Sequence, residues 1–129
     1  MITLEKAHRV IAAGEAKAKE IGQPMNIAVV DAGTNLKAFI RMDGAWLGSI
    51  DIAINKAFTA ARLARPTRVR GETLRARGTD IAFYGDARYV GFGGGLPVRI
   101  DGVIAGAVAV SGLSDEEDEA LAALGVALL

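Results

Sequence analysis

The sequence lacks most of the residues that common catalytic and metal sites need. It has no cysteine and a single histidine, His8. The absence of cysteine excludes disulfides, thiolate metal sites, cysteine-ligated iron–sulfur clusters and a cysteine nucleophile. One histidine without a nucleophile elbow gives no serine–histidine–aspartate arrangement. The sequence therefore shows no strong catalytic constellation, and we predict no metal site.

Neither sign of charge is in excess, because 15 basic residues balance 15 acidic ones. A neutral chain lacks the basic field that drives nonspecific nucleic-acid binding, so we expect no nucleic-acid partner. It also has little charge to keep copies apart, which is compatible with self-association. No run of about 20 apolar residues is present and no apolar leader follows Met1. We therefore expect no membrane partner and a cytoplasmic location.

What the sequence does contain is a clear hairpin pattern between Phe92 and Gly112. An Asp101-Gly102 pair separates two apolar runs, and such a pair is typical of a type I′ turn, which needs positive φ at both central positions. The returning run is rich in glycine and alanine between Ala105 and Ala109. Strands seldom favour such small residues, so they predict the close approach of a helix or a ligand.

The remaining elements follow from periodicity and from capping residues. We predict a helix from Thr3 that ends at Gly22, strands over 26–31 and 36–42, a helix over 46–64, a helical turn over 72–77, a short strand over 88–92 and a last helix capped by Ser114 and Glu117. Leu4 and Ile21 belong to the apolar stripe of the first helix, and Leu124 and Leu128 to that of the last. With 51% apolar residues in 129, the chain is expected to form one domain, residues 1–129. The order predicts an α+β fold, an antiparallel sheet of about five strands flanked by helices.

Charged and polar side chains at strand ends, at turns and on the second helix are the candidates for a ligand pocket. These are Asp31, Arg41, Asp43, Lys56 and Ser111. Arg41 and Lys56 are suited to clamp a carboxylate, and Asp31 or Asp43 is a candidate general base. The alternative for each aspartate is that it stabilises a turn through bonds to the backbone.

Three further features each allow two interpretations. His8, beside the apolar stripe of the first helix, is either a haem ligand or general base, or a histidine at a core edge or subunit contact. Tyr84 and Tyr89 either stack on a flat ligand or ligate haem iron, or simply pack. The arginines between residues 62 and 77 form a solvated face or pair with the acidic segment 115–119, rather than a nucleic-acid patch.

Several segments together resemble the GlcG/HbpS family, which includes the C-terminal domain of the PduO proteins. They are residues 27–33, 41–45, 49–60, 94–97 and 106–112, with Asp118. The resemblance covers nearly the whole chain in order. It implies a profilin-like α+β fold and homo-oligomers, often octamers. The sequence departs from the family pattern at Ala109, where glycine is usual, and in segment 83–89.

The resemblance also implies a small pocket, and it carries over eight candidate binding residues. These are Asp31, Arg41, Asp43, Lys56, Gly94, Gly95, Pro97 and Ser111. The first functional hypothesis is an oligomeric protein that binds haem or a related tetrapyrrole as a small-molecule ligand, with His8 as the candidate haem ligand. The alternative is an enzyme or accessory factor acting on a small carboxylate or hydroxy acid held by Arg41 and Lys56.

Overall fold

A four-stranded antiparallel sheet between helices forms the centre of the computed structural model, which describes all residues 1–129. The elements are α1 (Leu4–Glu20), β1 (Asn26–Asp31), β2 (Leu36–Arg41), α2 (Ser49–Leu63), α3 (Thr67–Arg77), a 3₁₀ turn (Ile81–Tyr84), β3 (Gly95–Ile100), β4 (Val103–Ser111) and α4 (Asp115–Val126). The strand order is β2-β1-β4-β3, and every neighbouring pair is antiparallel. The predicted α+β class is confirmed.

The expected fifth strand, Arg88 to Phe92, does not form. The backbone of this segment is bound to a side chain of α2 instead of a sheet edge: Val90 N donates to Thr59 Oγ1 at 3.1 Å, and Thr59 Oγ1 donates to Arg88 O at 3.4 Å. The helical turn predicted over 72–77 is the second half of the longer α3. The sheet therefore has four strands, and the region between α2 and β3 covers α2.

The two faces of the sheet are covered by different helices. On one face α1 and α4 pack on large aliphatic side chains, among them Ile27, Val29, Val108 and Val110. On the other face α2 packs through alanines, and the residues in contact are Ala28, Val30, Ala107 and Ala109 of the sheet with Ala53, Ala57, Ala60 and Ala61 of α2. The small residues of β4 thus serve close helix packing, one of the two roles that the sequence predicted.

The predicted local signals for the hairpin and the helix starts are confirmed. Asp101 and Gly102 have φ of 53° and 79°, as a type I′ turn requires. Ser114 accepts from Glu117 N at 3.2 Å and its hydroxyl donates to the Glu117 carboxylate at 2.8 Å, so Ser114 caps α4. Thr3 caps α1.

The apolar stripes of the outer helices are shorter than predicted. Leu4 and Ile21 of the α1 region are 52% and 42% exposed, and Leu124 and Leu128 at the C-terminus are 45% and 50% exposed. These four side chains lie at or near the ends of their helices, outside the buried core. No helix in the structure is both long and apolar enough to cross a membrane.

Candidate functional site

Three polar residues from three strands lie side by side at one end of the sheet. Asn26 of β1 pairs with Arg41 of β2 on one side and with Ser111 of β4 on the other. Side chains of such cross-strand neighbours lie close together on one face. Successive side chains of a strand point to opposite faces, so residues two apart share a face. Ala28 and Ala109 contact α2, and Asn26 and Ser111 therefore lie on the α2 face as well.

A buried ion pair joins the two helical layers beside this row. Lys56 Nζ of α2 lies 3.0 Å from Asp118 Oδ2 of α4, and both side chains are 2% exposed. Lys56 also donates to Val110 O at 3.0 Å. Asp118 accepts in addition from the backbone amides of Gly112 and Leu113, at 3.4 and 2.8 Å. The pair therefore connects α2 to α4 around the end of β4.

The electrostatics of this pair reflect its burial. Loss of solvent raises the pKa of the Asp118 carboxyl, while the nearby Lys56 charge and the two backbone amides act in the opposite direction. A lysine has three donors, and two of those of Lys56 are already used within the chain. Lys56 is consequently a neutralised structural cation, not a free clamp for an anion.

The glycines at the start of β3, Gly94 and Gly95, pack closely against Lys56 and the end of β4. Gly94 has φ of 122°, and a Cβ at that position would lie 2.5 Å from Val110 O and 2.9 Å from Lys56 Nζ. At Gly95 a Cβ would lie 2.6 Å from Lys56 O. Pro97, another candidate binding residue, lies within β3 and pairs with Ala107 of β4, in the body of the sheet.

A cleft of about 320 Å³ opens at the same end of the molecule; we call it the Trp46 cleft. It is lined by Trp46, Ser49, Ile52, Lys56, Phe92, Ser111, Gly112, Leu113, Asp115 and Asp118. Trp46 and Phe92 are 68% and 55% exposed, so aromatic surface is available to a ligand or a partner. The predicted residues Lys56 and Ser111 meet in this cleft, and Gly94 contacts the ion pair at its base.

Asn26 beside the cleft has an unused hydrogen-bond acceptor. Its side chain is fully buried, and Nδ2 donates to Trp46 O at 3.0 Å. Oδ1 has no partner, although buried polar atoms are nearly always paired. Asn26 was not among the predicted site residues, although a polar residue at the start of a strand of buried aliphatic side chains was an available signal.

The two aspartates expected in the pocket lie elsewhere. Asp31 is at the opposite end of β1, paired with Gly106, and its carboxylate accepts from Asn35 N at 2.9 Å. This backbone hydrogen bond is the main cause of the lowered pKa of Asp31. Asp31 borders a wider, mostly apolar depression of about 420 Å³. Asp43 is exposed after β2 and lines a separate shallow depression. For Asp31 the geometry matches the second interpretation given above, a carboxylate that stabilises a turn through a bond to the backbone.

The candidate haem ligands lie outside the cleft. His8 is exposed on α1, and no residue of α1 lines the Trp46 cleft. Tyr89 packs between Phe58 and Tyr84, with ring centroids 5.1 and 5.3 Å away, so the tyrosines are part of the cover over α2. No group of three or more histidine or carboxylate side chains is placed to hold a metal ion.

The predicted pairing of the arginine segment with the acidic segment occurs within the chain. Arg68 Nε lies 2.8 Å from Glu119 Oε2, and the same guanidinium contacts Glu72 at 3.3 Å. These two carboxylates raise the pKa of Arg68. The contact fastens α3 to α4.

Asp118 was missed as a site residue because it stands among four acids at a helix start. Residues 115–118 are all acidic, a composition typical of a helix N-terminus irrespective of burial. The signal that distinguishes Asp118 is its spacing from Leu121, Ala122 and Gly125, which places it on the buried stripe of α4. A charge on an apolar stripe indicates a buried partner.

Comparison with known proteins gives a consistent result. The family model described as "Haem degrading protein HbpS-like" matches residues 2–127. An uncharacterized 15.0 kDa protein in the dhaT–dhaS intergenic region of Citrobacter freundii is 44% identical, over 94% of this chain and 87% of that protein. Protein GlcG of Escherichia coli K12 is 36% identical, over 86% of this chain and 81% of its own length. These matches confirm the resemblance predicted from the sequence.

Solved structures with the same fold include three close matches. Klebsiella pneumoniae protein ORFY has a TM-score of 0.90 at 37% identity, covering 98% of this chain and 89% of its own. A double mutant of Streptomyces reticuli HbpS has a TM-score of 0.89 at 32% identity, covering 98% and 86%. The PduOC–haem complex has a TM-score of 0.89 at 26% identity, covering 97% and 92%.

Proposed function

The chain belongs to the HbpS-like family, and on that premise we propose that it binds haem or a related tetrapyrrole as a homo-oligomer. The observation that carries the proposal is the exposed position of His8, the only imidazole of the chain. Imidazole is a common axial ligand of haem iron. A related domain, PduOC, was solved as a complex with haem.

The donor atoms of the chain favour the surface of α1 over the Trp46 cleft for this ligand. None of the residues that line the cleft is a histidine, tyrosine or methionine, and Lys56 is engaged by Asp118. His8 instead lies one helical turn from Leu4, which is 52% exposed, so apolar surface flanks the imidazole. Bound haem would supply the redox-active iron, while His8 would hold it and Leu4 would contact the macrocycle.

A macrocycle held at an open helix surface leaves one face uncovered, which supports an oligomer whose second copy covers it. Large exposed apolar side chains, including Leu47, Phe83 and Val103 at 63%, 84% and 68%, support self-association as well. We propose an octamer. Light scattering of the protein with and without hemin should give the mass of eight chains, and a monomeric mass would contradict it.

Titration with hemin tests the haem proposal directly. We expect a saturable, stoichiometric shift of the Soret band for the wild-type protein. His8→Ala should abolish the shift, and Tyr84→Phe, which removes the alternative oxygen ligand, should leave it unchanged. A wild-type protein with no saturable shift excludes haem, and a shift that His8→Ala leaves intact excludes His8 as the ligand.

Arg41 supports a second candidate, the binding of a small carboxylate or hydroxy acid by an enzyme or accessory factor. Its guanidinium is exposed at the end of β2, beside Asn26, and none of the ion pairs in the structure involves it. In this proposal Arg41 anchors the acid, and Asp43 is the aspartate near enough along the chain to act as a base. A thermal-shift screen of small acids should show stabilisation of wild type that Arg41→Ala lacks.

A further inference from the structure

We propose that the Trp46 cleft binds a small organic ammonium ion, at a site separate from any haem on α1. His8 lies on α1, which contributes no residue to the lining of the cleft, so the two sites are distinct. Three features carry this inference: an unpaired buried acceptor next to the cleft, a surplus of negative charge in its lining and two exposed aromatic side chains.

The unused acceptor is Oδ1 of Asn26. The orientation of the carboxamide is fixed, because Nδ2 is the only group of Asn26 that can donate to Trp46 O. Asn26 adjoins two residues that line the cleft, since its nitrogen donates to Trp46 O and its strand neighbour is Ser111. Its buried amide oxygen has no partner within the chain.

The charge of the cleft favours a cationic donor. Asp115 and Asp118 supply two carboxylates to the lining, and Lys56 is its only cation. Because Lys56 neutralises Asp118 at 3.0 Å, the carboxylate of Asp115 remains as a net negative charge. The guanidinium of the neighbouring Arg68 is engaged by Glu72 and Glu119 instead.

The walls suit a small cation with an apolar body. Trp46 and Phe92 present aromatic faces, 68% and 55% exposed, and an ammonium group over such a face is attracted by the ring quadrupole. Ile52 and Leu113 add aliphatic surface. A volume of about 320 Å³ is at the lower end of the range for small-molecule sites, which favours a compact amine.

The single tryptophan makes the proposal directly measurable. Trp46 is the only tryptophan of the chain and lines the cleft, so its fluorescence reports on this site alone. Ethanolamine is the ammonium probe, ethylene glycol its neutral match and acetate the anion, with free tryptophan in the same solutions correcting for solvent effects. We expect a saturable change with ethanolamine, weaker binding of ethylene glycol and no binding of acetate.

Variants assign the interaction to its groups. Asp115→Asn removes the surplus charge and should weaken ethanolamine binding by about three- to tenfold. Ser111→Ala, which changes the lining next to Asn26, should weaken it by a few-fold. Asp31→Asn makes the same charge change at the opposite end of the sheet and should leave the affinity unchanged.

Several results would overturn the proposal. One is the absence of a saturable change with ethanolamine, which would mean that water satisfies Asn26 Oδ1. Another is equal affinity for ethanolamine and ethylene glycol, or equal weakening by Asp115→Asn and Asp31→Asn. Binding of acetate that depends on Arg41 would favour the carboxylate candidate instead. Failure of the hemin titration would not affect this test, because His8 and the Soret band take no part in it.

Discussion

The two ends of the sheet contain similar polar residues but surround them differently. At one end, which we call the ion-pair end, Asn26, Lys56, Ser111 and Asp118 are all at least 96% buried. At the other, the turn end, Asp31 accepts hydrogen bonds from Asn35 across an exposed turn. An aspartate next to a strand or at a helix start thus looks alike in the sequence whether it fixes a local turn, as Asp31 does, or belongs to a buried long-range pair, as Asp118 does. Four predictions compare the ends, beginning with the largest effect.

Removal of Lys56 should damage the ion-pair end most. Lys56→Met leaves the Asp118 carboxylate buried without its partner, and we expect a loss of about 3–5 kcal/mol in the free energy of unfolding. Urea denaturation measures this value. The double variant Lys56→Met, Asp118→Leu should recover most of the loss, because it removes both buried charges. A single variant as stable as the wild type would show that the pair is not a structural link.

The same variant has a defined pH dependence. Without Lys56 the pKa of Asp118 rises further in the folded state, while the unfolded value stays near 4. A raised pKa in the folded state makes the folded state the better proton binder, so its stability falls as pH rises through that value. The deficit of Lys56→Met should therefore be smaller at mildly acidic than at neutral pH.

One glycine at each end of the sheet tests how tightly that end is packed. Gly94 and Gly102 both have positive φ, but a Cβ at Gly94 would meet Val110 O at 2.5 Å whereas one at Gly102 would have no neighbour within 4 Å. Gly102→Ala should cost about 1–2 kcal/mol from backbone strain alone. Gly94→Ala adds overpacking and should cost about 2–5 kcal/mol. Equal losses in thermal denaturation would contradict the close packing at Gly94.

The smallest effect is expected at Asp31. Asp31→Ala removes the hydrogen bond from Asn35 at an exposed turn, a loss of about 1 kcal/mol or less. Because the folded pKa of Asp31 is lowered, its stabilisation is present above the usual aspartate pKa and is lost as pH falls below it. The difference between wild type and variant, followed by thermal denaturation, should shrink in acid. A difference that persists there would point to packing rather than charge.

Local signals were sufficient for most of the fold. The Asp101-Gly102 turn, the Ser114 cap of α4 and the alanine-rich β4 each depend on neighbouring residues or on side-chain size, and each was predicted correctly. The segment 88–92 was wrongly predicted as a strand because its partner is Thr59 of α2, 29 and 31 residues away in sequence. Short-range pattern cannot report a bond of that separation.

The candidate site was harder to predict for the same physical reason. Lys56 and Ser111 do meet in one cleft, but the sequence gives no indication that Lys56 is neutralised by a residue 62 positions later. Asn26 and Asp118 give only weak signals in the sequence, which become clear once their burial is known. Polar residues at strand ends were therefore useful as candidates, while their grouping depended on topology.

The link between Lys56 and Asp118 has a consequence for the order in which the chain becomes stable during synthesis. Lys56 leaves the ribosome long before α4, which is formed by residues 115–126. Until then a sheet closed over α2 would enclose an uncompensated ammonium group, which is costly. The last helix thus completes the charge balance of the interior as well as covering one face, and a nascent chain ending before Asp118 should remain open and sensitive to protease.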